Sequence, residues 1–238
     1  MRCGVTLLYA LVALGGMSFA QTGDPALAQG LILLEEGRTT LEESSLNAAQ
    51  EYFARLTKQY PGNATYLFHM SRVEAYLVES HASHGDKGKA EHDLDNAIVD
   101  ALRSIRLNDN SADAHSLLAD LYGRRISLGG FLAGIRYGAK SAAENKKALA
   151  LDPNSSRVHA SLGRQYLHAP KMFGGDVDQA VASFRKAIEL DPKSDEAYVW
   201  LAIACRKKGD SAQADLALQD ALRLNPRSAF ARHLQTGR

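Results

Sequence analysis

One phrase of sequence repeats along this chain, and that repeat limits the possible folds more tightly than any composition figure. Ala180-Val181-Ala182-Ser183-Phe184-Arg185-Lys186-Ala187-Ile188-Glu189-Leu190-Asp191-Pro192 returns in type thirty-four residues later as Ala214, Leu218, Ala221, Leu222, Leu224 and Pro226. Earlier in the chain, Ala148-Leu149-Ala150-Leu151-Asp152-Pro153 matches Ala187 through Pro192. Ala97, Ala101, Ser104, Ile105 and Leu107 give the pattern again with Asp109 in place of proline, and Ala49, Phe53, Leu56 and Pro61 give it once more. Self-similarity at such a period marks an array whose unit is one supersecondary element. Each copy sets small or apolar residues at helical spacing and then stops the helix, in most copies with a proline.

A second helical pattern precedes each copy. The fullest is Ala197-Tyr198-Val199-Trp200-Leu201-Ala202-Ile203-Ala204-Cys205, followed by the turn Lys207-Lys208-Gly209-Asp210. His159, Leu162, Gly163, Tyr166 and His115, Leu118, Ala119, Tyr122 are its counterparts. A small residue (Ala202, Gly163, Ala119) always follows the leucine, where it lets two helices approach closely. Ala214, Ala180 and Ala97 supply the facing small surface. His115 and His159 occupy the large packing position and read as satisfied interior histidines.

An aromatic or large residue, Leu-Gly/Ala, Tyr, Gly-Asp, Ala, Phe/Leu, Ala and then Pro resembles the tetratricopeptide repeat. Residues 193–226 match it at nearly every position, and 154–192 match with about five extra residues between the helices. Residues 110–153 match with about ten extra, while 62–109 and 24–61 follow the pattern more loosely. The resemblance implies an all-α, right-handed superhelical array of about five helix pairs with a concave face. A short C-terminal helix over 228–236 would cap it, with Ser228, Arg232, His233 and Gln235 outward among Ala229, Phe230 and Leu234. The turn Pro170-Lys171-Met172-Phe173-Gly174-Gly175-Asp176 is similar to turns in exported bacterial proteins of this type, including the T-components of periplasmic (TRAP) uptake transporters.

The first twenty residues are a different object. Arg2 precedes an uncharged apolar stretch from Val5 to Met17, and Ser18-Phe19-Ala20 offers small residues for cleavage. This outlines a secretory signal cut after Ala20, too short to span a bilayer comfortably. The expected location is therefore periplasmic or secreted, with the repeat domain occupying 21–238 and no stable membrane span after cleavage. An uncleaved anchor is the alternative. Cleavage would remove Cys3 and leave Cys205, which cannot form an internal disulfide and reads as a small buried apolar residue. It would also remove Arg2 and take the formal charge from +1 to 0. With 28 Lys and Arg against 27 Asp and Glu, and no basic run, nucleic acid is not an expected partner.

Three connections are lengthened, and loops on a rigid scaffold often carry function. Glu79 to His92 holds His81, His84 and His92, but their spacing closes no familiar metal site, so a solvated polar loop is expected. Arg124 to Gly138 contains Gly129-Gly130, with Phe131 onward expected as an extended second helix. Gly134 to Ser141 is a near miss to a phosphate loop, lacking glycine before Lys140 and any preceding strand. In the third connection, Leu167 to Asp176, Pro170 ends a helix, Gly174-Gly175 turns the chain, and Asp176 with Gln179 starts the next helix in the manner of a capping box.

In the families resembled, set positions of each first helix line the concave groove. Carried over, they give Thr65, Phe68, Arg72 and Tyr76; Asp113, Ser116, Asp120 and Arg124; Arg157, Ala160, Arg164 and His168; and Glu196, Val199, Ile203, Arg206 and Lys207. The cationic surplus among them would suit a partner bearing carboxylate. No nucleophile elbow, zinc-protease helix or dinucleotide fingerprint is present, and no cofactor is expected. The sequence thus reads as a non-enzymatic scaffold holding a protein or peptide partner. The alternative is a solute-binding accessory of envelope transport, with Phe131, Leu132, Ile135, Met172 and Phe173 as an apolar lining.

Overall fold

The computed structural model describes residues 23–236, and the expected signal segment lies outside them. Ten α-helices follow one another, with no strand among the described residues: α1 (Pro25–Thr40), α2 (Glu43–Gln59), α3 (Ala64–Ser83), α4 (Lys87–Leu107), α5 (Ala112–Leu151), α6 (Ser156–His168), α7 (Val177–Leu190), α8 (Asp195–Lys208), α9 (Ser211–Leu224) and α10 (Ala229–Thr236). α5 is itself a hairpin. At Gly130 the backbone takes φ 68 and ψ −149, a region open to glycine, and the helix folds back on itself there. Five antiparallel pairs result, each packed on the next, with α10 as the cap.

Short polar side chains start the helices. Asp24, Asn63, Asp86, Ser111, Ser155, Asp176, Ser194 and Asp210 each accept a hydrogen bond from a first-turn amide. Gly209 ends α8 in the left-handed conformation, as the Gly-Asp turn requires.

Within a pair, close approach rests on missing side chains. A Cβ on Gly163 would lie 2.6 Å from the Phe184 ring, and one on Gly30 would lie 2.5 Å from the Phe53 ring. Both rings are fully buried. Ala119 and Ala202 are buried at the matching positions of their own pairs, as are Ala97, Ala180 and Ala214 on the facing helices. The apolar interior runs as three successive clusters, around Phe53 and Leu34, around Leu94 and Leu118, and around Phe184 and Trp200. Cys205 lies in the last of these, and burial raises its thiol pKa.

The Glu79–His92 stretch, expected as a loop, is largely helical, and the helix expected from Phe131 onward is present. Between α3 and α4 only His84, Gly85 and Asp86 turn the chain, so most of the Glu79–His92 stretch is helix. His81 points inward, its Nδ1 2.6 Å from Asp93 Oδ2 and its Nε2 3.3 Å from Glu43 Oε1. His84 turns back on the Ser80 carbonyl at 2.7 Å, and His92 meets Asn96 in the open. The three histidines therefore go to three places. No group of three or more His, Cys, Asp or Glu among the described residues is placed to hold a metal ion. Arg124 to Gly138 forms the two arms of the α5 hairpin tip, and Gly134 to Ser141 is helix throughout.

Candidate functional site: the concave face

The first helix of each pair turns one side toward the inside of the array, and a ladder of ion pairs runs across these helices. Arg124 of α5 pairs with Glu79 of α3, while Arg157 and Arg164 of α6 pair with Asp113 and Asp120 of α5. Arg164 Nη1 also lies 3.7 Å from Glu196 Oε1 of α8. From the opposite wall, Tyr76 of α3 donates to Glu196 Oε2 at 3.3 Å, across the middle of the concavity.

Trp200 floors this region. The Arg164 guanidinium stands 5.5 Å over its ring, the His168 ring meets it edge-on at 5.7 Å, and its indole N–H donates to Glu196 at 3.4 Å. The electrostatics follow from crowding. Burial works against the Arg164 charge, but Asp120 and Glu196 outweigh it and raise its pKa. Burial likewise opposes the Glu196 carboxylate, and Arg164, Arg38 and Arg72 overcome it and lower its pKa. Burial and Glu196 push Tyr76 up to about 12. Burial, with Lys207, Arg124 and Arg164 nearby, takes His168 down to about 4, so it is neutral at pH 7.

Arg72 stands apart. Among the described residues no carboxylate comes within 4.0 Å of it. Its Nη1 lies 3.3 Å from His69 Nδ1, and its guanidinium stands 5.8 Å over the Phe68 ring. Burial and the Arg157 charge both lower its pKa. Burial, then Arg72 and Arg157, hold His69 well below its ordinary value, so it is neutral and accepts from Arg72.

The structure thus brings Arg72, Tyr76, Asp120, Arg164 and His168 together, with Arg124 and Arg157 at the ends of the ladder. It differs from the expected cationic groove in two respects. Each of Arg124, Arg157 and Arg164 already holds a carboxylate of this chain, because Asp113, Asp120, Glu79 and Glu196 sit on neighbouring helices at matching heights. Arg206 turns the other way, toward Asp215 of α9 and the Leu234 carbonyl of α10, and Lys207, beside His168, is committed to the Leu167 carbonyl. Phe131, Leu132, Ile135, Met172 and Phe173 line no enclosed space. They are the most solvated large apolar groups of their region, at 55–80 % exposure.

Sequence reasoning did not find the residues that close the array. Arg38 Nη1 of α1 lies 3.0 Å from Asp195 Oδ1 at the start of α8, and Asn225 donates to Asp195 at 2.9 Å. Asn225 Nδ2 also lies 3.4 Å from Thr39 Oγ1, and Arg227 pairs with Glu36. Burial opposes the Arg38 charge, but the Glu35 hydrogen bond and the Asp195 and Glu35 carboxylates prevail and raise its pKa. The first pair therefore touches the last. No local motif signals this, because the partners are up to 191 residues apart.

Comparison with known proteins agrees with this architecture. No curated protein sequence matches the chain. Among solved structures, TTC0263, a thermophilic TPR protein from Thermus thermophilus, is similar at 19% identity with a TM-score of 0.63, over 89% of this chain and 96% of that one. YrrB, described as a TPR protein with an unusual peptide-binding site, gives 15% identity and a TM-score of 0.43 over 92% and 98%. MamA from Desulfovibrio magneticus RS-1 gives 15% and 0.40 over 87% and 99%. A tetratricopeptide-repeat profile matches residues 174–236, and the profile described as regulator of microtubule dynamics protein 1-3 matches residues 32–172. The chain is a tetratricopeptide-repeat protein, and the match over more than half its length makes it a member of the family of regulator of microtubule dynamics proteins 1-3.

Proposed function

We propose that the chain is a non-enzymatic scaffold that holds a protein or peptide partner against its concave face, in the periplasm or on the outside of the cell. One observation carries the reading: among the described residues Arg72 is an arginine of the inner strip with no carboxylate within 4.0 Å, feeling only the longer-range pull of Glu196. It stands beside Tyr76, over Phe68, and close enough to Arg157 to feel its charge. A carboxylate from a partner, an Asp or Glu side chain or a chain end, completes that pairing, since guanidinium and carboxylate make strong charge-assisted bonds. The partner chemistry is accordingly an acidic or carboxyl-terminal peptide segment.

The test is affinity capture from envelope extract with the full chain and with Arg72→Gln, analysed by mass spectrometry. A protein retained by the native chain and depleted about tenfold by the variant is expected, a loss of about 1.4 kcal/mol. Identical retained sets from two equally helical proteins would remove Arg72 from the contact. The exported location has its own readout, because the N-terminus of the protein recovered from cells should begin at Gln21. A start at Met1 would count against cleavage.

A further inference from the structure

The outer edge of the array carries a surface of opposite character to the inner strip. Phe131, Leu132 and Ile135 are 72%, 78% and 61% exposed, and Met172 and Phe173 are 80% and 55% exposed. The first three follow the Gly130 break at spacing i, i+1, i+4 and share one side of a helix turn. The other two lie in the single 3-10 turn Lys171–Phe173 of the next pair. Both tips hang from the same edge, because α5 and α6 are packed neighbours and Arg124, near one tip, lies close enough to His168, near the other, to lower its pKa.

The charge around the first tip is of one sign, while the second carries Lys171 with Asp176 and Asp178 just after it. From residue 121 to residue 143 the chain carries Arg124, Arg125, Arg136 and Lys140 and no acidic residue. Glu79 holds Arg124 and Asp95 holds Arg125. Arg136 and Lys140 instead lean over the Tyr137 ring at 5.4 and 5.5 Å, with no carboxylate within 4.0 Å among the described residues. Lys171 is exposed directly before Met172.

We propose that this edge seats on the surface of an anionic lipid bilayer. Phe131, Leu132 and Ile135 enter the interfacial layer, and Arg136, Lys140 and Lys171 meet acidic headgroups around them. The tip is convex and protrudes, so it suits a deformable surface. Its five side chains fall well short of the roughly 20–30 residues per side of a standard protein interface. An apolar wedge ringed by unpaired cations is the pattern that binds anionic lipid without crossing it. No helix among the described residues is long and apolar enough to cross a membrane. The concave face lies elsewhere on the molecule, so Arg72→Gln leaves this contact intact.

The apolar Val5–Met17 stretch would add lipid binding of its own wherever it is retained, so the test needs a local reporter. Leu132→Trp places an indole at the tip while Trp200 stays buried, and the unsubstituted chain supplies the background. With vesicles of phosphatidylcholine containing about 30% phosphatidylserine, the added emission should shift to the blue. Lipids brominated in the acyl chain should quench it. Adding Arg136→Glu and Lys140→Glu should weaken the response about tenfold, and pure phosphatidylcholine should give little. Emission that ignores vesicles, or answers both lipids equally, would overturn the proposal. A shift that appears without lipid as protein concentration rises would instead assign the edge to a second copy of the chain. A shift with lipid-free envelope protein would assign it to a protein partner, and either result overturns the membrane reading.

Discussion

Glu74 is the clearest case of a single residue with a measurable consequence. It is 3% exposed in the α3–α4 contact, and its Oε2 has no hydrogen-bond partner. Burial, with Asp100 and Asp93 nearby, pushes its pKa up to about 9. The neighbouring carboxylates have partners of their own, Arg103 for Asp100 and the His81 ring for Asp93, and none of these reaches Glu74. The folded protein therefore keeps the proton while the unfolded chain releases it near pH 4.5. The contribution is fully present below that value and is lost as pH rises toward 9, on the order of 2 kcal/mol or more. Glu74→Gln should flatten this part of the profile, seen as a difference in urea unfolding that grows between about pH 5 and about pH 9. Parallel profiles for the two proteins would mean that Glu74 is ionised in the native state. Residue roles that follow from the repeat were legible in sequence: Cys205 is buried, and His115 is satisfied by Glu144 at 2.5 Å and by the Asp109 carbonyl at 3.1 Å. His159 uses its ring in the same way on the Pro153 carbonyl at 2.8 Å, though it is only half-buried. Glu74 and His81 were not legible, because Glu74 is set by carboxylates of the facing helix α4 and His81 by Asp93 of α4 together with Glu43 of α2, positions the repeat pattern does not fix.

At the scale of the helix pair, small residues decide how close two helices come. Gly163 faces Phe184 with no room for a methyl group. Gly163→Ala should destabilise the protein by about 1–3 kcal/mol through overpacking, against a smaller gain from helix propensity. Chemical denaturation gives the value directly, and an unchanged or raised midpoint would show that the ring moves aside without cost. The glycine was visible in the repeat pattern. Its counterpart Gly30 was not, because the first pair follows that pattern loosely. The polar Glu79–His92 stretch was misjudged for a related reason. Histidines and charges suggest a loop, but the segment has no proline, and only Gly85, at φ 78, needs a turn conformation. The rest is compatible with helix and is drawn into it by the His81 contacts with Asp93 and Glu43.

For the whole molecule, the repeat predicted the array, but not that the ends meet. Pattern reading follows neighbours along the chain, and the Arg38–Asp195 contact spans 157 residues. Arg38 and Asp195 are both largely withdrawn from water, so removing one leaves the other inadequately paired. Arg38→Ala should cost about 2 kcal/mol and raise the radius of gyration measured by X-ray scattering, since the first pair is then free to swing from the last. A destabilised protein of unchanged dimensions would mean that Asn225 and the Arg227–Glu36 pair hold the ends together without it.

That contact also bears on how such a chain can change over generations. An open array lengthens by duplicating a unit, because each copy needs only the surface of the one before it. Here an inserted pair would carry Asp195 away from Arg38 and Glu36 away from Arg227, and the added units would have to turn the ends back into register to recover either contact. Five is thus a count fixed by closure, and growth should be confined to the places where it already shows, in longer helices and tips rather than in more pairs.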